Sequence, residues 1–139
     1  MPGGVCKTHE IPGGPPMLYA ILCYNSDSFV SSWTQEQDDA VMSRLGVVHD
    51  KLAKQGKLGP AARLMPIGKA RTLMKGHEPP LIVDGPYAET KEALLGFYVV
   101  DCASMEEALE VAKELEQANP GPGAYEVRPV RLYLPSQLE

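Results

Sequence analysis

The side chains best able to do chemistry are crowded into the run Asp84-Gly85-Pro86-Tyr87-Ala88-Glu89-Thr90-Lys91-Glu92, which sets five ionisable groups around one turn. The apolar segment Leu81-Ile82-Val83 precedes it and Leu94-Leu95-Gly96-Phe97-Tyr98-Val99-Val100 follows, so the turn joins two strands. Loops at strand ends are where a rigid scaffold presents functional groups. Asp84 is the candidate general base, since a carboxylate facing a cleft is desolvated and its pKa rises toward neutrality. Asp before Gly-Pro also accepts a backbone N–H in an Asx turn, and the two roles are compatible. Glu89 is the candidate second carboxylate. As bland alternatives, Glu89, Lys91 and Glu92 read as solvated charges or local ion pairs.

Two further side chains belong with Asp84 as catalytic candidates. His49 lies near the border of the apolar stripe of a predicted helix, where it either faces a cleft or is a partly buried residue with one satisfied ring nitrogen. Tyr98 lies on the clearest strand, either in the core with its hydroxyl bonded or lining the cleft as an acid or anchor. Arg128, Glu89 and Tyr87 are the candidate substrate contacts. Arg128 is suited to a bidentate grip on a carboxylate, or to pairing with Glu126. No second His stands at a ligand spacing from His49, and His77 falls in a loop, so no metal site is expected. Cys6, His9 and Glu10 make a poor ligand set in a tail. No P-loop, GxGxxG or GxSxG occurs, and no cofactor is expected.

The elements that must hold these groups follow from periodicity. Residues 1–16 carry four Gly and four Pro and form an extension, and one domain over 17–139 follows. Met17–Tyr24 is a strand and Ser26–Ser32 a polar loop. Thr34 with Gln37 forms a capping box that opens a helix running to about Gln55, with Val41, Leu45, Val48 and Leu52 on its apolar side and Gly56 as its stop. Trp33 packs the entry to this helix. Lys57–Met65 and Ala70–Met74 are weaker strand candidates, followed by the short Leu81–Val83 and the strong Leu94–Asp101. Ser104 with Glu107 opens a second helix through about Ala118. Tyr125–Leu134 is the last strand, with Pro129 marking an edge or a bulge. This order describes an α+β, ferredoxin-like sandwich, β-α-β-β-α-β, with an inserted hairpin.

Two helices cover one face of such a sheet. Yet Leu95, Phe97 and Val99 are as apolar as Leu94, Gly96, Tyr98 and Val100, and Leu18, Ala20 and Leu22 as apolar as Tyr19, Ile21 and Cys23. A strand apolar on both faces is buried on both. The second face therefore calls for a homodimer packed sheet to sheet, because exposing it would leave a large apolar patch.

A net charge of −5 and a pI near 5.2 argue against nonspecific nucleic-acid binding. Against that acidic average, Lys51, Lys54, Lys57, Arg63, Lys69, Arg71 and Lys75 occur with no Asp or Glu between Lys51 and His77. Such a stretch is either a solvated surface or a local field that draws a small anionic organic molecule. Cys6, Cys23 and Cys102 include no CxxC pair and suit a reducing compartment, with Cys23 and Cys102 in strand contexts typical of core thiols. Neither a signal peptide nor a membrane span is read from the chain, and the expected location is the cytoplasm.

The block Asp84–Glu92, followed by Gly96-Phe97-Tyr98 and then Glu126-Val127-Arg128-Pro129-Val130, resembles YCII-related proteins of the DGPF type over about Met17 to Leu134. Tyr87 replaces the Phe for which that type is named. The resemblance implies a dimeric α/β barrel with a cleft between helix and sheet, proposed as an active site, and a function largely unestablished. The wider superfamily, with its muconolactone isomerases and a dienelactone dehalogenase, implies cofactor-independent acid–base chemistry on a small substrate. Some members carry a His in the first helix thought to pair with the strand-end Asp; that position falls on Leu45 here. Association of such proteins with extracytoplasmic-function sigma factors implies the alternative of a non-catalytic regulatory module with a protein partner.

Overall fold

The computed structural model describes residues 17–88 and 90–134. The extension over 1–16, with Cys6, His9 and Glu10, and the residue Glu89 lie outside the described residues, as do 135–139. Alternating large side chains make β1 (Leu18–Asn25) a central strand. The segment after it differs from the loop expected at Ser26–Ser32. Ser26 Oγ accepts from the Phe29 N–H and turns Asp27–Ser31 into a short helix, α1. The long helix α2 (Gln35–Lys54) opens with the expected reciprocal box: Thr34 Oγ1 accepts from Gln37 N–H, and the Gln37 side chain accepts from Thr34 N–H. It stops at Gly56, whose φ of 73° is left-handed.

Strand β2 (Leu58–Arg63), the hairpin strands β3 (Arg71–Met74) and β4 (Leu81–Asp84), and β5 (Ala93–Asp101) follow. Helix α3 (Met105–Ala118) is capped by Ser104 Oγ, which accepts from Glu107 N–H, while Glu107 reaches back to Ala103 N–H rather than to the cap itself. The last strand, β6 (Ala124–Pro129), ends earlier than the expected Leu134; one further ladder bond, from Val130 N–H to Leu18 O, ties its end. Proline lacks the N–H a continuing ladder needs, and β6 is an edge strand.

The main sheet runs β2-β5-β1-β6, with every neighbour antiparallel. This is an α+β architecture with the strand order of a ferredoxin-like sandwich, and β3–β4 form a separate two-stranded hairpin inserted between β2 and β5. Helices α2 and α3 pack on one face. There Tyr19, Ile21 and Val100 from the sheet meet Leu45, Leu52, Val111 and Leu115 from the helices. Ile21, Leu52, Val100 and Leu115 are fully buried, each worth roughly 1.5–3 kcal/mol relative to exposure. The opposite face carries Leu18, Ala20, Leu22, Phe97 and Val99, all only part-buried.

The hairpin is apolar on both of its sides. Leu73 and Ile82 pair across it and are each more than half exposed, while Leu81 and Val83 are exposed on the other side. It leaves the sheet where the β2–β5 ladder ends with the bond from Leu64 N–H to Leu95 O. One leg is pinned by the Ile67 N–H donating to Asp27 of α1.

Candidate functional site

Gly96 sets the floor of the site. It lies opposite Cys23 on β1 and opposite Arg63 on β2, and a Cβ there would come within 2.7 Å of the Ala62 carbonyl oxygen. Only glycine lets β2 approach this closely. Above this floor, between α2, α3 and the sheet, opens a cavity of about 630 Å³. That size suits a small organic molecule.

Two residues on that floor and wall meet. Tyr98, two positions along β5 from Gly96, shares the helix-facing side with Val100, and His49 follows Leu45 by one helical turn on α2. The His49 Nε2 and the Tyr98 hydroxyl are 2.7 Å apart, and the rings are 5.3 Å apart between centroids. Burial lowers the His49 pKa, opposed by the nearby Asp50 carboxylate. Burial pushes the Tyr98 phenol well above its ordinary value. Both groups are therefore uncharged at neutral pH, and the short contact is a hydrogen bond between neutral partners whose donor is set by the His49 tautomer.

Other polar groups line the cavity that are not among the candidate site residues of the sequence. Burial pushes the Cys23 thiol up to about 12, which removes it as a nucleophile. Tyr125, opposite Cys23 on β6, is pushed up to about 12 by burial, with Asn119 as a side-chain partner. Trp33 stacks edge-on against Phe29 at 6.0 Å and forms part of the wall as well as the helix entry. The period-2 alternation that puts Cys23 beside Ile21, and Tyr125 beside Val127, was the available signal. Cys102 is core, 2% exposed.

The remaining sequence candidates stand elsewhere. Asp84 ends β4 on the hairpin, its side chain 88% exposed and 3.2 Å from the Arg71 guanidinium. It is neither desolvated nor part of the cavity wall. Tyr87 is 80% exposed beside it, and Glu89 lies outside the described residues. Arg128 lies opposite Ala20, on the face away from the helices. Leu45, where some family members carry a His, is buried. Much of the expected basic field is neutralised: Lys51 pairs with Glu114, Lys57 with Glu107, Arg63 with Asp38 and Arg71 with Asp84. The Arg63 hydrogen bond holds the Asp38 carboxyl below its usual range, and Lys57 does the same for Glu107. Among the described residues no group of three His, Cys, Asp or Glu is placed to hold a metal ion.

The model of the YCII-related domain matches residues 17–133, which is the whole sandwich with its hairpin and cavity. The chain belongs to the YCII-related family. An uncharacterized protein of Rhizobium meliloti (strain 1021), R00369, is 53% identical over 122 residues, covering 88% of this chain and 98% of that protein. The YCII-related domain thus has the α+β sandwich expected from its element order. No helix among its described residues is long and apolar enough to cross a membrane.

Proposed function

We propose that this YCII-related protein binds a small organic molecule in the cavity and acts on it by cofactor-independent acid–base chemistry. The observation that carries this reading is the 2.7 Å contact of His49 with Tyr98 at a cavity of about 630 Å³. A ligand C–H or O–H proton passes to the Tyr98 oxygen as the phenolic proton passes to His49 Nε2; the return transfer delivers a proton to another ligand atom. The net result is isomerisation, or elimination where a leaving group departs. The pair needs no external base, so the role expected of Asp84 falls to His49 within one chain.

The reading includes a homodimer of the dimeric α/β-barrel kind. The part-buried apolar face of Leu18, Ala20, Leu22, Phe97 and Val99 supports it, as does the apolar hairpin. Isolated hairpins are marginal in water, so a doubly apolar one is best explained by a surface that it covers. The same hairpin favours a second reading, a non-catalytic regulatory module that docks a protein partner through Leu73 and Ile82.

A thermal-shift screen of small cyclic ketones, lactones and acids against wild type, Tyr98→Phe and His49→Gln separates the two. Ligands that stabilise wild type but neither variant support the cavity reading. A folded protein that no compound shifts, or that all three forms bind alike, supports the module.

A further inference from the structure

The charges around the cavity select among ligands. Two cations line it, and each is engaged: Arg63 donates to both Asp38 oxygens, at 2.6 and 3.3 Å, and Lys113 holds Glu110 at 3.1 Å. Against them the wall carries Glu106, Glu110 and Glu116. Deeper in, the polar groups are Tyr98, His49, Tyr125 and Cys23, and burial keeps each in its uncharged form. Around them the walls are Trp33, Val41, Leu45 and Ala61. A carboxylate brought to the His49–Tyr98 pair would leave water without meeting an unpaired cation, and would approach a rim with more acids than bases. An uncharged oxygen accepts from the Tyr98 hydroxyl there at little desolvation cost, in the tautomer whose His49 Nε2–H donates to the phenol oxygen.

We infer that the cavity takes an uncharged cyclic molecule whose carbonyl or hydroxyl oxygen hydrogen-bonds the Tyr98 hydroxyl, and that it discriminates against carboxylates of the same shape. This rests on the proposed use of the cavity and names its ligand class. It also departs from the anionic ligand that the run of Lys and Arg residues suggests in sequence, because those side chains are largely spent on Asp38, Asp84, Glu107 and Glu114.

Trp33 is the chain's sole tryptophan and lines the cavity, so its fluorescence reports occupancy. Benzamide and benzoate, nearly identical in shape and different in charge, are titrated in parallel, as are cyclohexanecarboxamide and cyclohexanecarboxylate. The expected result is that the neutral member of each pair binds at least about tenfold more tightly, and that Tyr98→Phe removes most of this preference. His49→Gln provides the second variant should Tyr98→Phe unfold. Carboxylates binding as well as or better than their neutral partners, with binding still sensitive to Tyr98, would overturn the inference and leave the cavity reading standing. No response of Trp33 to either series would count against both.

Discussion

The His49 imidazole and the Tyr98 hydroxyl, 49 residues apart in sequence, meet at 2.7 Å and tie the middle of α2 to the central strand β5. The contact is part-buried, so removing one partner leaves the other without its hydrogen bond in a poorly solvated place. Tyr98→Phe is expected to lower stability by about 1–2 kcal/mol, read as a lower urea midpoint at unchanged slope. Combined with His49→Gln, the loss should be less than additive, since both changes remove the same bond. Additive losses would mean that the two side chains do not depend on each other.

The depressed pKa of His49 carries a pH signature. Burial disfavours its charged form, so the unfolded chain takes up a proton near the ordinary value of 6.5 while the folded chain does so only at lower pH. Its contribution to stability is complete above about pH 6.5, falls as the pH drops through the interval down to the folded pKa, and changes no further below it. Asp38 and Glu107 are depressed too, but their contributions are lost only near and below the ordinary carboxylate values. Thermal midpoints of wild type should therefore decline from pH 7 to pH 5 more steeply than those of His49→Gln. Parallel curves would contradict the assignment.

Much of this architecture is legible in the residues themselves. Thr34 with Gln37, Gly56 and Ser104 mark the helix ends by local hydrogen bonds and backbone conformation, which act within a few residues and so leave a local trace. Alternation along Tyr19-Ile21-Cys23 and Gly96-Tyr98-Val100 marks the helix-facing side of the sheet. What the sequence does not reveal is which charged groups meet. Asp38 and Arg63 are 25 residues apart, and Lys51 and Glu114 are 63 apart, so a run that reads as an open basic field closes into ion pairs only when α2, α3 and β2 are packed. The Asp84 turn stands out in sequence because its charges are contiguous, whereas His49 and Tyr98 are brought together only by the packing of α2 on β5.

The apolar outer face predicts assembly. Wild type should elute as a dimer by light scattering at micromolar concentration, and Phe97→Glu or Leu22→Glu should shift it to monomer, because the face would then have to bury an unpaired carboxylate. The part-buried state of both side chains in the single chain means that the monomers should keep their fold by circular dichroism. A wild-type monomer would sink the two-faced-sheet argument.

Asp84 offers a test of the hairpin. Its only described partner is Arg71, across an exposed pair, so Asp84→Asn should leave the thermal midpoint of one folded chain essentially unchanged. Ligand binding at the His49–Tyr98 pair should also be unaffected. If instead Asp84→Asn abolishes binding in the dimer but not in Phe97→Glu monomers, the hairpin of one subunit acts on the cavity of the other.

Gly96 is the position where the cavity floor has no slack. Replacing it with Ala puts a methyl group 2.7 Å from the Ala62 carbonyl oxygen and 3.4 Å from Arg63 Cα, both backbone atoms that no side-chain rotation can move away. Strand β2 must retreat from β5, stretching the ladder that holds Ala61 opposite Tyr98 and Arg63 opposite Gly96. Gly96→Ala is expected to cost about 1–3 kcal/mol and to loosen the Arg63–Asp38 pair with it. Gly68, by contrast, has open space around it, so Gly68→Ala serves as the control and should leave stability nearly unchanged. Comparable denaturant midpoints for Gly96→Ala and Gly68→Ala would show that the close approach of β2 to β5 is not a constraint on the site.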